Sequence, residues 1–191
     1  MTEREITATL QRLIKDYEPD IIAWRRHLHR HPELSFEEVE TTKYIASQLE
    51  EMGIPYEINT EKNTGLIGWI DGGRPGKTVA LRADIDALPV TELTDADFKS
   101  KNPGCMHACG HDAHMSTGLA LAHWVADHKD ELKGRIKFLF QPAEEGVRGA
   151  GAMAASGVVD DGDGAVGGEL DLDLPAEPGE GLVDGVVDDL P

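Results

Sequence analysis

The sequence predicts an α/β domain, because strand-like and helix-like stretches alternate along it. Three runs rich in β-branched and aromatic residues read as strands: GLIGWI (65–70), TVALRADID (78–86) and RIKFLF (135–140). Two stretches with apolar residues at helical spacing, 35–53 and 114–128, read as helices, and the second lies between the last two strands. That order argues for a parallel strand pair joined by a helical crossover. With 191 residues, the chain is long enough for one well-packed domain, or one plus a tail, and too short for two large ones.

Taken in order, residues 4–17 set Leu10, Leu13, Ile14 and Tyr17 at helical spacing, and Pro19 can open a second helix through IIAWRRHLHR. In SFEEVETTKYIASQLEEMG, Ser35 and Glu38 form a capping-box pattern. Phe36, Val39, Ile45, Leu49 and Met52 trace one face, and Gly53 is a ready stop. In the later helix, Met115, Leu119, Ala122 and Val125 form the apolar stripe. The expected folded domain is 1–158. Residues 159–191 are expected to be a disordered acidic tail, because a stretch rich in Gly, Pro, Asp and Glu buries too little apolar surface to offset its ordering entropy.

Charge narrows the partners. The chain carries 36 acidic and 18 basic residues, a net charge of −18, and the 11 acidic side chains from residue 156 onward meet no Lys or Arg. Such a surface repels nucleic-acid backbones and anionic membranes, so neither is expected as a partner. No apolar run reaches the roughly 18–20 residues of a membrane span. The charged N-terminus lacks the apolar core of a signal peptide, so a cytoplasmic location is expected. Two cysteines, Cys105 and Cys109, are too few for a disulfide scaffold.

Carboxylates stand where two strands end: Asp84 and Asp86 after TVALRADID, Glu144 and Glu145 after RIKFLFQP. Open α/β sheets place their sites just beyond the carboxyl ends of strands. A third segment, CMHACGHDAHM, holds Cys105, His107, Cys109, His111 and His114. Thiolate and imidazole suit zinc and its neighbours, and carboxylates complete harder sites. In extended chain, Cys109 and His111 project from the same side, and the helix that follows favours a thiolate at its N-terminus. Of the glutamate doublet, one carboxylate can bind a divalent ion while its neighbour takes a proton from activated water, the chemistry of amide hydrolysis. The same residues also accommodate a structural zinc or thiol redox module built on Cys105 and Cys109, or a silent fragment of an enzyme.

The segments RRHLHRHPELSFEEVET (25–41), LRADIDALPV (81–90), MHACGHDAHM (106–115) and FQPAEEGVRGA (140–150) resemble, in order and spacing, the M20 metallopeptidase family. The closest branch is the amidohydrolases of N-acyl amino acids, hippurate and auxin conjugates. The resemblance implies a three-layer zinc-exopeptidase-like catalytic domain, present in part, with a two-ion site taking Zn, Mn or Co. It implies Cys109, His111 and Glu145 as metal ligands, Glu144 as general base and acid, and Asp86 as the carboxylate steadying a ligand. Cys105, His107 and His114 lie inside the motif without being expected as ligands, and His27, His29 and His31 are expected to be structural. Where the branch carries a further histidine ligand, this chain has Glu169, which would take that place. The implied substrate is a small N-acyl amino acid, and full-length relatives can form homo-oligomers. Family members are longer, inserting a lid or dimerisation domain and returning with a last histidine ligand. No histidine follows His128 here, so a truncated chain with low turnover is expected.

Overall fold

The computed structural model describes residues 3–58, 64–146, 149–155, 157 and 164–166. Two helices come first, α1 (Glu3–Arg30) and α2 (Val39–Glu51), then the strands β1 (Tyr56–Glu57), β2 (Leu66–Asp71) and β3 (Thr78–Asp84). Helix α3 (His111–Asp127) leads through a short 3-10 turn at Lys129–Glu131 into β4 (Arg135–Gln141), followed by α4 (Gly149–Ala155) and β5 (Gly164–Val166). The sheet runs β1-β2-β4-β3-β5. Strand β4 pairs antiparallel with β2 and parallel with β3, Thr78 opposite Arg135 through Asp84 opposite Gln141. The parallel pair flanking the crossover helix is therefore as the sequence predicts, and it brings the ends of β3 and β4 to the same edge.

One sheet face carries Leu66, Ile70, Ala83, Phe138 and Phe140, packed against Leu28, Leu49, Met115, Leu119 and Ala122 from α1, α2 and α3. The four predicted stripe residues of α3 are all buried. Gly118 faces the sheet too: a Cβ there would sit 3.2 Å from the Phe140 ring and 3.4 Å from the Ala83 methyl, so a small residue lets helix and sheet close. On the opposite face, Ile67, Ala80 and Leu139 meet Met153 of α4. Helix, sheet and helix make the three layers expected, the third thin among the described residues.

Several local expectations are corrected. Pro19 does not open a second helix; it lies inside a continuous α1, exposed, and the carbonyl it leaves without a donor is on exposed Lys15, where water can take it. Ile14 is 57% exposed, so it does not share the face of buried Tyr17, and the side chains of Leu10 and Leu13 lie outside the described ones. The capping box does not form. Glu38 is the residue before α2 but makes no side-chain cap; instead Glu33 accepts the Thr41 amide at 2.7 Å and the Glu40 amide at 3.3 Å. The buried face of α2 is Thr41, Thr42, Ile45, Ala46 and Leu49; Phe36 and Val39 are only half-buried. Gly53, at φ +68°, ends the helix as predicted. Strand β5 lies past the boundary set at residue 158, paired with β3; three small residues are too few to stand out against acidic composition.

Candidate metal centre

Asp86 is the hub of the rim where β3 and β4 end. It is fully buried, and its carboxylate accepts the Ser35 hydroxyl at 2.7 Å and the amides of Glu145 at 2.9 Å and Glu144 at 3.1 Å. The His111 ring, at the first turn of α3, sets Nδ1 2.9 Å from the Asp86 carbonyl oxygen and 3.3 Å from its carboxylate. Burial alone would raise the Asp86 carboxyl, but the hydrogen bonds from His111, Ser35, Glu145 and Glu144 hold it down at about 2. Conversely, burial favours neutral His111, yet the bond to Asp86 and the Asp84 charge push its pKa up to about 9 in the metal-free chain.

With Nδ1 given to Asp86, the other ring nitrogen of His111 faces the glutamate doublet: Nε2 lies 3.6 Å from Glu144 Oε2 and 4.0 Å from Glu145 Oε1. This is the arrangement that orients metal-binding imidazoles. Cys109, His111 and Glu145 each offer a ligand atom, all within 4.8 Å of one another. The extended geometry imagined for Cys109 and His111 is replaced by a turn at Gly110, whose φ of +92° begins α3; the two still converge. Glu145 Oε1 is buried and has no hydrogen-bond partner among the described residues. A buried carboxylate oxygen left so is costly, and thiolate, imidazole and carboxylate together suit a zinc-like ion. The residues present thus fit the divalent metal that the sequence implies.

Asp84, His111 and His114 form a second group of the same dimensions. It shares His111, whose one remaining nitrogen can serve one ion, and Asp84 is already bound by Arg82 at 2.6 Å. His114 Nδ1 stands 3.6 Å from Asp84. These two side chains lie beside the imidazole and are not an independent centre.

The other motif residues separate cleanly. Cys105 is buried and unbridged to Cys109, its thiol pushed up to about 11 by burial and by Glu33 and Glu37, which disfavours a redox pair. His107 is buried and held neutral, its pKa lowered to about 4 by burial. His29 is buried between Asp112 and Glu92, while His27 stacks on Tyr44. Glu169 lies outside the described residues. The sequence missed Ser35 and Glu38 as contributors to the rim: Glu38 accepts the Ala143 amide at 2.9 Å. The signal was available, since Glu38, Thr42, Ile45 and Leu49 share one helical face and place a carboxylate on the apolar side of α2.

Thiol chemistry tests this geometry. Cys109 is exposed and Cys105 buried, so a thiol reagent should titrate one cysteine quickly and the other slowly. Zinc should slow the fast reaction at least about tenfold, since metal takes the thiolate. An unchanged rate would remove Cys109 from the ligand set.

A mixed sheet whose strand ends gather thiol, imidazole and carboxylate donors is an α/β fold with a candidate divalent-metal centre at its rim. The chain belongs to peptidase family M20/M25/M40, whose family model matches residues 80–186, a span that runs on into the acidic segment. It is 44% identical over 171 residues to an N-acyl-L-amino acid amidohydrolase of Geobacillus stearothermophilus, covering 89% of this chain and 45% of that one. It is 45% identical over 161 residues to N-acetylcysteine deacetylase of Bacillus subtilis, covering 84% and 42%. Among solved structures, the Bacillus subtilis YxeP protein, a dinuclear metal-binding peptidase of family M20, superposes with a TM-score of 0.77 at 45% identity, covering 80% of this chain and 43% of that one. The chain thus spans less than half the length of these relatives.

Proposed function

We propose that this chain carries the first half of an M20 amidohydrolase site, which hydrolyses the amide of small N-acyl amino acids. The observation that carries the reading is the buried Glu145 Oε1, which lies beside Cys109 and His111 and has no hydrogen-bond partner among the described residues. Cys109, His111 and Glu145 would hold a divalent ion, with Glu169 as a further ligand; the whole site would take two ions of Zn, Mn or Co. Bound there, such an ion lowers the pKa of water to about 7 and polarises a carbonyl. The work of this chain's own residues follows from their positions. Asp86 fixes the His111 ring and, through the Glu144 and Glu145 amides, the turn bearing both carboxylates. Glu144, one-third exposed, can reach water and substrate. It takes the proton as the water oxygen bonds to the amide carbon. It returns that proton to the nitrogen as the carbon–nitrogen bond breaks, releasing carboxylic acid and amino acid.

The names of the relatives support N-acyl-L-amino acids as the substrate class. Among the described residues no helix is long and apolar enough to cross a membrane; the net charge of −18 supports a protein without nucleic-acid or anionic-membrane partners, and the charged N-terminal segment supports a cytoplasmic location. For the chain alone low turnover is expected, since less of the site is walled from water.

The test is metal content and turnover together. Elemental analysis after loading with Zn, Mn or Co should find bound ion. Release of amino acid from an N-acetyl amino acid should stop with chelator and return with metal. A chain that takes up no metal from any of the three refutes the reading.

A further inference from the structure

Between α1 and α2 the sequence offers a helix-capping motif that the structure spends elsewhere. Glu33 caps α2, which leaves Ser35 and Glu38 free to reach the rim. Ser35 donates to Asp86. Glu38 has no exposed surface and no ion-pair partner among the described residues, a costly place for a carboxyl group. Its carboxylate accepts the Ala143 amide through Oε1 at 2.9 Å, the one hydrogen bond it makes with the β4 end among the described residues, beside local backbone hydrogen bonds from Phe36 and its own amide.

Ala143 is itself unusual: it is fully buried and has φ +52°, one of two non-glycine residues in the left-handed region among the described residues. The other, Phe36 at +62°, sits between Ser35 and Glu38. Such conformations cost of order 1–3 kcal/mol each and persist only where the surroundings impose them. The next two amides, of Glu144 and Glu145, point to Asp86. Three successive backbone N–H groups thus converge on two buried carboxylates, the kind of concavity that backbone amides form around an anion.

We propose that Glu38 is the positioning residue of the Glu144–Glu145 turn, holding Ala143 in its left-handed conformation so that both carboxylates face His111 and Cys109. The inference rests on the reading of Glu145 as a metal ligand, and on no other part of the mechanism. It predicts that the hydrogen-bond acceptor matters, not the bulk or the charge of residue 38. Glutamine keeps an acceptor oxygen and should be tolerated; methionine keeps the volume and loses the acceptor. Glycine at 143 adopts positive φ unaided, so it should compensate for the lost acceptor.

The experiment titrates the chain with Co²⁺ alone and follows the near-ultraviolet thiolate-to-cobalt band. Wild type should develop the band and Cys109→Ser should not; absence in wild type would refute the metal reading itself, separately from this inference. Given the band, Glu38→Gln should bind cobalt within about threefold of wild type, and Glu38→Met about 10–100-fold more weakly. Adding Ala143→Gly to Glu38→Met should recover much of that loss, which a merely packing role would not allow. If Glu38→Met fails to melt cooperatively, Glu38→Asp, which withdraws the acceptor by one methylene, replaces it and should weaken cobalt binding at least about threefold. Cobalt affinity equal to wild type in the variant that lacks or withdraws the acceptor overturns the proposal. So does a Glu38→Gln loss as large as that of Glu38→Met.

Discussion

Asp86→Asn is expected to cost the metal-free chain about 3–5 kcal/mol of unfolding free energy, the scale of breaking a buried ion pair from one side. The carboxylate takes donors on both oxygens, from Ser35, Glu144 and Glu145, and pairs with the His111 ring. An asparagine amide would present a donor where at least one of those donors needs an acceptor. The cost should follow pH in a way that identifies its source. The Asp86 carboxyl falls from an ordinary 3.8 to about 2 on folding. Its contribution is therefore complete above about pH 4 and lost as pH falls toward 2. The His111 pKa rises from 6.5 to about 9, so its contribution is complete below about pH 6.5 and lost as pH rises through 9. The two shifts are largely one interaction seen from each partner and do not add. The stability gap between wild type and variant should thus be widest from about pH 4 to 6.5 and narrow on both sides. Glu38 and Asp84, whose carboxyls burial pushes up, titrate in both proteins and largely cancel in the difference. Urea unfolding with chelator present measures it; a gap that is flat with pH would remove the charge pair as its cause.

Much of this rim was legible in the sequence because its parts are local. Cys109 and His111 are two residues apart, Glu144 and Glu145 are adjacent just beyond the 135–140 run, and the 78–86 run carries Asp86 at its end. Strand and helix periodicities said that these ends would share an edge, since a parallel pair around a crossover helix has no other arrangement. What stayed hidden depends on contacts across the chain. Ser-x-x-Glu looks the same whether its side chains turn back on the helix or, as with Ser35 and Glu38, reach strand ends more than fifty residues away. Glu33 could assume the cap only because the chain bends back before α2, a tertiary fact. Pro19 was read as a helix start on local propensity alone; continuous packing of α1 on α3 overrode it. Strands β1 and β5, of two and three residues, are too short to show a period.

Glu144→Gln is expected to lower kcat for N-acyl amino acid hydrolysis by about 100- to 10,000-fold, the contribution of a positioned acid–base group, with cobalt affinity little changed. Glutamine has the shape of glutamate, so the backbone bond to Asp86 and the packing of the turn survive. What it cannot do is accept and return a proton. The environment suits that task. Burial, and then the charge of Asp84, raise the proton affinity of the Glu144 carboxyl, with His111 opposing and Glu145 adding to the rise, which moves the group toward the neutral range where an acid–base catalyst is most effective. Its neighbour behaves differently: Glu145 turns a buried oxygen toward His111 and Cys109, so Glu145→Gln should lose metal affinity and activity together. The pair of variants therefore separates proton transfer from ion binding at adjacent positions. Single-turnover assays at high enzyme concentration, beside cobalt titrations of the same preparations, make the comparison readable even where turnover is low. Should Glu144→Gln keep more than about a tenth of the wild-type rate, or lose cobalt in step with Glu145→Gln, the two glutamates do not divide the work as their positions indicate.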